Sequence, residues 1–279
     1  MSKLLRKPGT NNEAPTTTPT TKTGTLVHDV TASNSPLSYI GFKIVDLAPG
    51  EVYAEELGKT ECCIVAVTGR IHVTAQGESY ENIGTRTSVF EKIPTDSVYV
   101  SNDSAFQVEA VTPARIALCY SPSTKQLPTR LIRAAEDNQV EHRGQYHNQR
   151  TVHNILPDSD PGANSLLVVE VFTDSGNWSS YPPHKHDRDR LPDESLLEET
   201  YYHEINPPQG FVFQRVYTDD RSLDETMTVE NGDVVIVPKG YHPVGVPDGY
   251  TSYYLNVMAG PTRIWKFHND PAHEWILKR

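Results

Sequence analysis

The run Tyr181-Pro-Pro-His-Lys-His186, followed by Glu199 and by Gly232-x5-Pro238-Lys-Gly240-Tyr-His242, decides how this chain reads. It predicts three histidines and one glutamate gathered by a small β-barrel around one metal ion. Side chains alternate between the faces of a strand, so His184 and His186 at i and i+2 point the same way. Residues 199 to 203 (Glu-Thr-Tyr-Tyr-His) read as the next strand, with Glu199, Tyr201 and His203 on one face. Residues 233 to 237 (Asp-Val-Val-Ile-Val) read as a third strand. A Pro-x-Gly turn closes it and delivers His242 to the same mouth. Imidazoles with a carboxylate suit a borderline divalent ion such as Zn, Mn, Fe or Ni. His-x-His alone is a weak signal. Joined to a downstream Glu and to Gly-x5-Pro-x-Gly-x-His, it is a strong one.

The composition agrees with a barrel. Fourteen tyrosines, with abundant Val, Thr and Pro, favour strands and turns over helices. A length of 279 residues holds one large domain or two ordinary ones. The net charge of −11 argues against a nucleic-acid or anionic-membrane partner and reads as simple solubility. The sequence contains no apolar run long enough to span a bilayer, and no charged-then-apolar leader follows Met1. Cys62 and Cys63 are adjacent and Cys119 lies in an apolar run. That is no disulfide framework, and it points to a reducing cytoplasm.

Four segments are expected: a flexible arm over 1–24, a first barrel without metal over 25–135, a bridge over 136–164, and a metal-binding barrel over 165–279. Residues 9 to 24 are rich in Thr, Pro and Asn, as an arm packing across a neighbouring chain could be. Residues 62 to 67 read as a buried strand, Thr68-Gly69 as a turn, and residues 70 to 74 as the partner strand. Short strands then follow at 88–90, 97–100, 106–110 and 116–120, a rhythm that suggests a sandwich or jelly roll. His28 and His72 lie in this half without a His-x-His pair, so a second metal is not expected there. The bridge is polar and proline-bearing and contains Arg143-Gly-Gln-Tyr-His-Asn-Gln-Arg150. In the second half, residues 165–172, 211–217, 233–237 and 252–257 read as strands. Trp178 and Phe211 read as barrel core, and Asp219-Asp-Arg-Ser222 as an ion-pair turn.

The His-x-His, Glu and Gly-x5-Pro-x-Gly-x-His spacing resembles the two metal-binding motifs of the cupin superfamily. It departs from them in two places. The stretch Asp187 to Glu198 is a longer insert than usual, and one residue rather than two separates Gly240 from His242. The insert leaves Glu198 as an alternative to Glu199; Glu199 is preferred because it directly precedes the strand, as the ligand glutamate does in cupins.

Longer strings carry a closer resemblance. They are Trp178-Ser-Ser-Tyr-Pro-Pro-His-Lys-His-Asp187, Leu197-Glu-Glu-Thr-Tyr-Tyr-His203, Gln214-Arg-Val-Tyr-Thr-Asp-Asp-Arg-Ser222, Pro238-Lys-Gly-Tyr-His-Pro243 and Tyr253-Tyr-Leu-Asn-Val-Met-Ala-Gly-Pro261. With Leu4-Leu-Arg-Lys-Pro8, Gly84-Thr-Arg-Thr-Ser-Val-Phe-Glu91 and the Arg143 to Arg150 segment, they resemble the 5-deoxyglucuronate isomerase family of myo-inositol catabolism. The likeness covers nearly the whole chain except the Thr-rich residues 14 to 24. It implies an all-β bicupin of two tandem jelly-roll barrels that interconverts 5-deoxy-D-glucuronate and 5-dehydro-2-deoxy-D-gluconate. A related branch acts on 4-deoxy-5-ketouronate.

Such an aldose–ketose isomerisation suits the residues. A divalent metal on His184, His186, Glu199 and His242 would act as a Lewis acid on the substrate carbonyl. A base must reach the proton on the neighbouring carbon. Tyr201, His203, Tyr241 and Tyr253 are the candidates, and the sequence leaves the choice open. The substrate is a deoxy-uronate sugar, so a cation should hold its carboxylate, with Arg215, Lys239 and Arg263 as candidates. Two rivals use the same residues: a metal-dependent dioxygenase, and a sugar-binding barrel without turnover. Homo-oligomerisation is left open.

Overall fold

In the computed structural model, residues 2–9 and 23–279 are described. The architecture follows from strands that are apolar on both faces. Strand Thr60–Thr68 is buried at every position from Glu61 to Val67. Its Cys62, Ile64 and Ala66 pack inside a first barrel, while Cys63, Val65 and Val67 pack the opposite way. Strand Leu167–Thr173 mirrors it, with Leu167, Val169 and Val171 inside a second barrel and Val168 and Phe172 turned outward. A continuous apolar run is what a strand covered on two sides requires.

Each barrel is a large antiparallel sheet facing a four-stranded one. The first large sheet runs Thr25–Val30, Gly41–Leu47, Ala114–Pro122, Thr60–Thr68, Ser97–Val100, Arg130–Ile132. The second runs Leu5–Arg6, Val234–Val237, Glu198–Asn206, Thr251–Ala259, Leu167–Thr173, Arg150–Leu156, Gln139–Arg143. The two large sheets pack back to back through one shared core that includes Phe42, Val65, Tyr99, Tyr202, Ile236 and Leu255. This is the expected all-β pair of jelly rolls. None of the described helices is long and apolar enough to cross a membrane.

Three carboxylates latch the barrels together. Glu61 accepts backbone N–H bonds from Asn164, Ser165 and Leu166, at 2.8, 2.6 and 2.8 Å, and the Tyr99 hydroxyl at 2.6 Å. Glu198 accepts the backbone N–H of Ser38 and Tyr39 at 2.8 and 2.7 Å. Glu170, fully buried, pairs with Arg86 of the first barrel and accepts the Tyr253 hydroxyl at 2.8 Å. A charge buried at such a seam is tolerated because both oxygens of each carboxylate accept hydrogen bonds.

The structure differs from expectation in three places. Within the stretch 1–24, Leu5–Arg6 adds an edge strand to the second barrel and Leu4 is buried, because Leu4 completes that barrel's core. The Thr-rich part of the arm, residues 10–22, lies outside the described residues. The bridge 136–164 is largely strand: Gln139–Arg143 and Arg150–Leu156 extend the second large sheet. Residues 88–90, read as a strand, belong to a 3₁₀ turn, Val89–Glu91. Ser88 caps it and Glu91 returns a bond to the cap backbone, a reciprocal Ser-x-x-Glu box that outweighs the β-propensity of Val and Phe.

Candidate metal centre

Three elements converge at one end of the second barrel. The short strand His184–Lys185 pairs with His268–Asn269 and leads into His186. Lys185 points the other way, where its buried ammonium meets Asp187 at 2.6 Å, Asp219 at 3.2 Å and Glu194 at 3.3 Å. That anchor sets the direction of the two flanking imidazoles. Glu199 is the second residue of strand Glu198–Asn206, whose alternation sends Glu199, Tyr201, His203 and Ile205 inward. His242 follows the turn after Val234–Val237. Gly240 in that turn has φ of +93°, and a Cβ there would stand 2.5 Å from the Tyr217 carbonyl oxygen. Glycine is needed for both reasons. Reciprocal backbone bonds between Tyr217 and Tyr241, 2.9 and 2.8 Å, then fix His242 in place.

The polar atoms that meet here have no hydrogen-bond partner. His186 Nε2, His242 Nε2 and Glu199 Oε2 are buried without one. The two nitrogens lie 3.0 and 3.1 Å from Glu199 Oε2. Among the described residues, His186, Glu199 and His242 form the group of ligand-type atoms close enough together for one ion. The outer atoms are held. His186 Nδ1 contacts the Leu197 carbonyl at 2.9 Å and His242 Nδ1 the Gly240 carbonyl at 2.8 Å. Each Nδ1 therefore carries the proton and leaves Nε2 as the electron-pair donor. Asn256 donates to the other oxygen of Glu199.

The electrostatics suit a cation. Burial opposes ionisation of Glu199, but His242 and His186 overcome it and hold the carboxyl well below the usual range. Burial depresses the pKa of His242 and, with the neighbouring His242 and His186, drives His184 well down. His186 is raised despite burial, because Glu199 sits against it. An ionised carboxylate with orphaned imidazole nitrogens is the donor set a borderline divalent ion takes. His184 stands beside this group: its ring centre is 5.1 Å from that of His242 and 6.4 Å from that of His186, and it packs on Phe267 at 4.6 Å.

The remaining candidates scatter. Glu198 is spent on the barrel seam, which leaves Glu199 as the ligand-type carboxylate here. Tyr201 faces the centre, with its hydroxyl 3.2 Å from Ser180 Oγ and its ring 5.9 Å from His242. His203 lies deeper, bonded to Gln214 at 3.1 Å, and burial pushes its pKa down to about 4. Tyr241 donates to Asp219 outside the barrel. Tyr253 faces the seam and Glu170, because its strand alternates Tyr254, Asn256 and Met258 inward. These two are corrected as bases.

Of the carboxylate-binding candidates, Arg215 and Arg263 are committed elsewhere. On Phe211–Tyr217 the inward residues are Val212, Gln214 and Val216, so Arg215 lies outside, paired with Asp224 at 2.7 Å. Arg263 spends its guanidinium on the backbone carbonyls of residues 156, 157, 158, 160 and 166. Lys239 is exposed in its turn. Trp178 and Phe211, expected in the core, lie on the outer side of the small sheet, with Trp178 40% exposed. In the first barrel, His28 meets the Gly232 carbonyl at 2.6 Å and His72 accepts the Asn82 N–H at 3.0 Å.

Two residues at this end escaped sequence reasoning. Asn256 is a lone amide inside an apolar strand, and that incongruity was its signal. Arg150 opens strand Arg150–Leu156 and shares the inward face with Val152; it was hidden because the segment read as a bridge. The centre opens through a crevice lined by His184, Glu199, Tyr201, Tyr254, Asn256 and Arg150. Beyond it is a cavity of about 450 Å³ walled by Tyr181, Phe267, Ile276 and Leu277.

Comparison with known proteins bears on what this cavity serves. A family model described as the KduI/IolB family matches residues 15–276. The chain is 72% identical over 279 residues to the 5-deoxy-glucuronate isomerases of Bacillus velezensis and of Bacillus subtilis strain 168, with all of both chains covered. It is 64% identical over 280 residues to that of Listeria monocytogenes, again over all of both chains. The crystal structure of an IolB-like protein from Salmonella typhimurium LT2 aligns with a TM-score of 0.91 at 47% identity, covering 98% of this chain and 99% of that one. The oxalate decarboxylase formate complex of Lactobacillus farciminis aligns with a TM-score of 0.64 at 13% identity, over 100% of this chain and 91% of the other. That second likeness speaks to the fold alone.

Proposed function

The chain belongs to the KduI/IolB family, and we propose that it works as a metal-dependent 5-deoxyglucuronate isomerase. It converts 5-deoxy-D-glucuronate to 5-dehydro-2-deoxy-D-gluconate, an aldose–ketose isomerisation of myo-inositol degradation. The observation that carries this reading is the convergence of three orphaned, buried donor atoms at the mouth of an open cavity, in a chain matched end to end by isomerases.

His186, Glu199 and His242 would hold one divalent ion of the Zn, Mn, Fe or Ni class, with His184 completing the set. When bound, the ion supplies Lewis acidity toward the substrate carbonyl. The chain supplies the rest. Asn256 and the Leu197 and Gly240 carbonyls keep the ligands aimed. Tyr201 is the candidate whose hydroxyl faces the crevice, and we assign it the handling of a proton at a substrate oxygen. Burial raises its pKa, so at neutral pH it is a hydrogen-bond donor. Phe267, Ile276, Leu277 and Tyr181 give the cavity apolar walls. The buried free thiols of Cys62, Cys63 and Cys119 fit a reducing cytoplasm.

The test is turnover of 5-deoxyglucuronate under anaerobic conditions without nicotinamide, followed by proton NMR in deuterated water. Conversion to the ketose, with deuterium on the new hydroxymethyl carbon, is expected. A requirement for oxygen would move the chain to the dioxygenase class. Binding of the sugar without conversion would make it a sugar-binding barrel.

A further inference from the structure

We propose that Arg150 is the residue that grips the substrate's carboxylate and makes the site select an acid sugar over a neutral one. This rests on the isomerase reading above.

The position is the first reason. Arg150 lines both the outer cavity and the inner crevice, beside His184 in each. A sugar whose aldehyde end lies at the metal centre therefore reaches toward it with its far end, where the carboxylate is. Availability is the second reason. Among the described residues, no carboxylate lies within ion-pair distance of Arg150, although it is half-buried. Among the described residues, its side chain's one hydrogen bond is Nη1 to the Asn148 carbonyl, at 2.8 Å. Its neighbour Arg143 is already committed to Glu141, at 2.7 Å, and lies over the Trp265 ring. Withdrawing a guanidinium from water without an anion is unfavourable, and an incoming carboxylate removes that penalty.

Pre-orientation is the third reason. The Asn148 carbonyl that holds Arg150 belongs to a closed loop: Asn148 Oδ1 accepts the Gln145 N–H at 2.8 Å. Gly144 in that loop has φ of +85°, and a Cβ there would stand 1.8 Å from the Asn148 oxygen. With Nη1 tied back, the remaining edge of the planar fork is free to take two carboxylate oxygens side by side. The protein's net charge of −11 sharpens the contrast. In an acidic chain, Arg150 without a carboxylate partner is a local positive charge at this mouth for an anionic substrate.

The experiment compares Arg150→Met, Arg150→Lys and the unaltered enzyme on 5-deoxyglucuronate and on 5-deoxyglucose, its analogue with a hydroxymethyl in place of the carboxylate. The unaltered enzyme should prefer the acid. Arg150→Met should cut the acid-to-neutral ratio of kcat/KM by about a hundredfold or more, mainly through KM, at unchanged metal content. Arg150→Lys should restore part of the ratio. Equal loss on both sugars, or an unchanged ratio, would overturn the assignment. Calorimetric binding of D-glucuronate separates the two readings. If the unaltered chain fails to isomerise its substrate yet binds glucuronate, and Arg150→Met does not, the carboxylate grip stands and the activity falls. Equal binding by both proteins would sink the grip itself.

Discussion

Glu198 and Glu199 are adjacent and chemically identical, yet the strand sends one to the barrel seam and the other to the candidate metal centre. Glu199→Gln removes the one ionised group that meets both histidines, so purified protein should lose most of its bound metal by elemental analysis. Glu198→Gln should keep it, because Glu198 serves the backbone N–H groups of Ser38 and Tyr39. Metal retained by the first variant and lost by the second would reverse the assignment. His203 carries a different expectation. Burial lowers its pKa to about 4 from the ordinary 6.5, so the unfolded chain takes up the proton first. The contribution of neutral His203 is whole above pH 6.5 and declines as pH falls to about 4. In metal-free protein, the stability of the native chain minus that of His203→Gln should fall by at most about 1.4 kcal/mol per pH unit across that window. Urea titrations at several pH values measure it; a flat difference would mean His203 is solvated.

The candidate donor set His186, Glu199 and His242 was readable from sequence because each residue sits at a fixed offset from a strand or a glycine turn. The cations and tyrosines were not, since their roles depend on which face of a strand turns inward. Arg215 and Tyr253 occupy strands that were found correctly but face away from the centre. Arg150 was lost with its strand, because Arg, Thr, His and Asn interrupt the apolar residues of Arg150–Leu156 and the surrounding segment is polar. The doubly buried strands have a further consequence. Glu170 and Arg86 pair at the seam where neither side chain reaches water. Removing one partner of a buried pair costs about 3–5 kcal/mol, whereas replacing both by apolar residues is often neutral. Glu170→Ala should therefore lower unfolding stability by that amount in urea, and Arg86→Met with Glu170→Met should recover most of it. A single variant as stable as the native chain would show the pair to be dispensable.

At the scale of the whole molecule, the two barrels divide the work. The first presents a wide sheet to the back of the second. Its backbone N–H groups at Ser38 and Tyr39 bond Glu198, immediately before Glu199 of the candidate centre. The second keeps its open end for the candidate metal centre, the cavity and the C-terminal turn Glu274–Lys278 that walls it. The account as a whole stands on metal-dependent isomerisation at His186, Glu199 and His242. Its most direct test is to strip the protein of metal, restore a divalent ion stepwise, and measure bound metal and anaerobic turnover of 5-deoxyglucuronate on the same samples. Turnover should rise in proportion to occupancy, saturate near one ion per chain, and be absent in Glu199→Gln at every step. Full turnover by the metal-free protein would contradict the account.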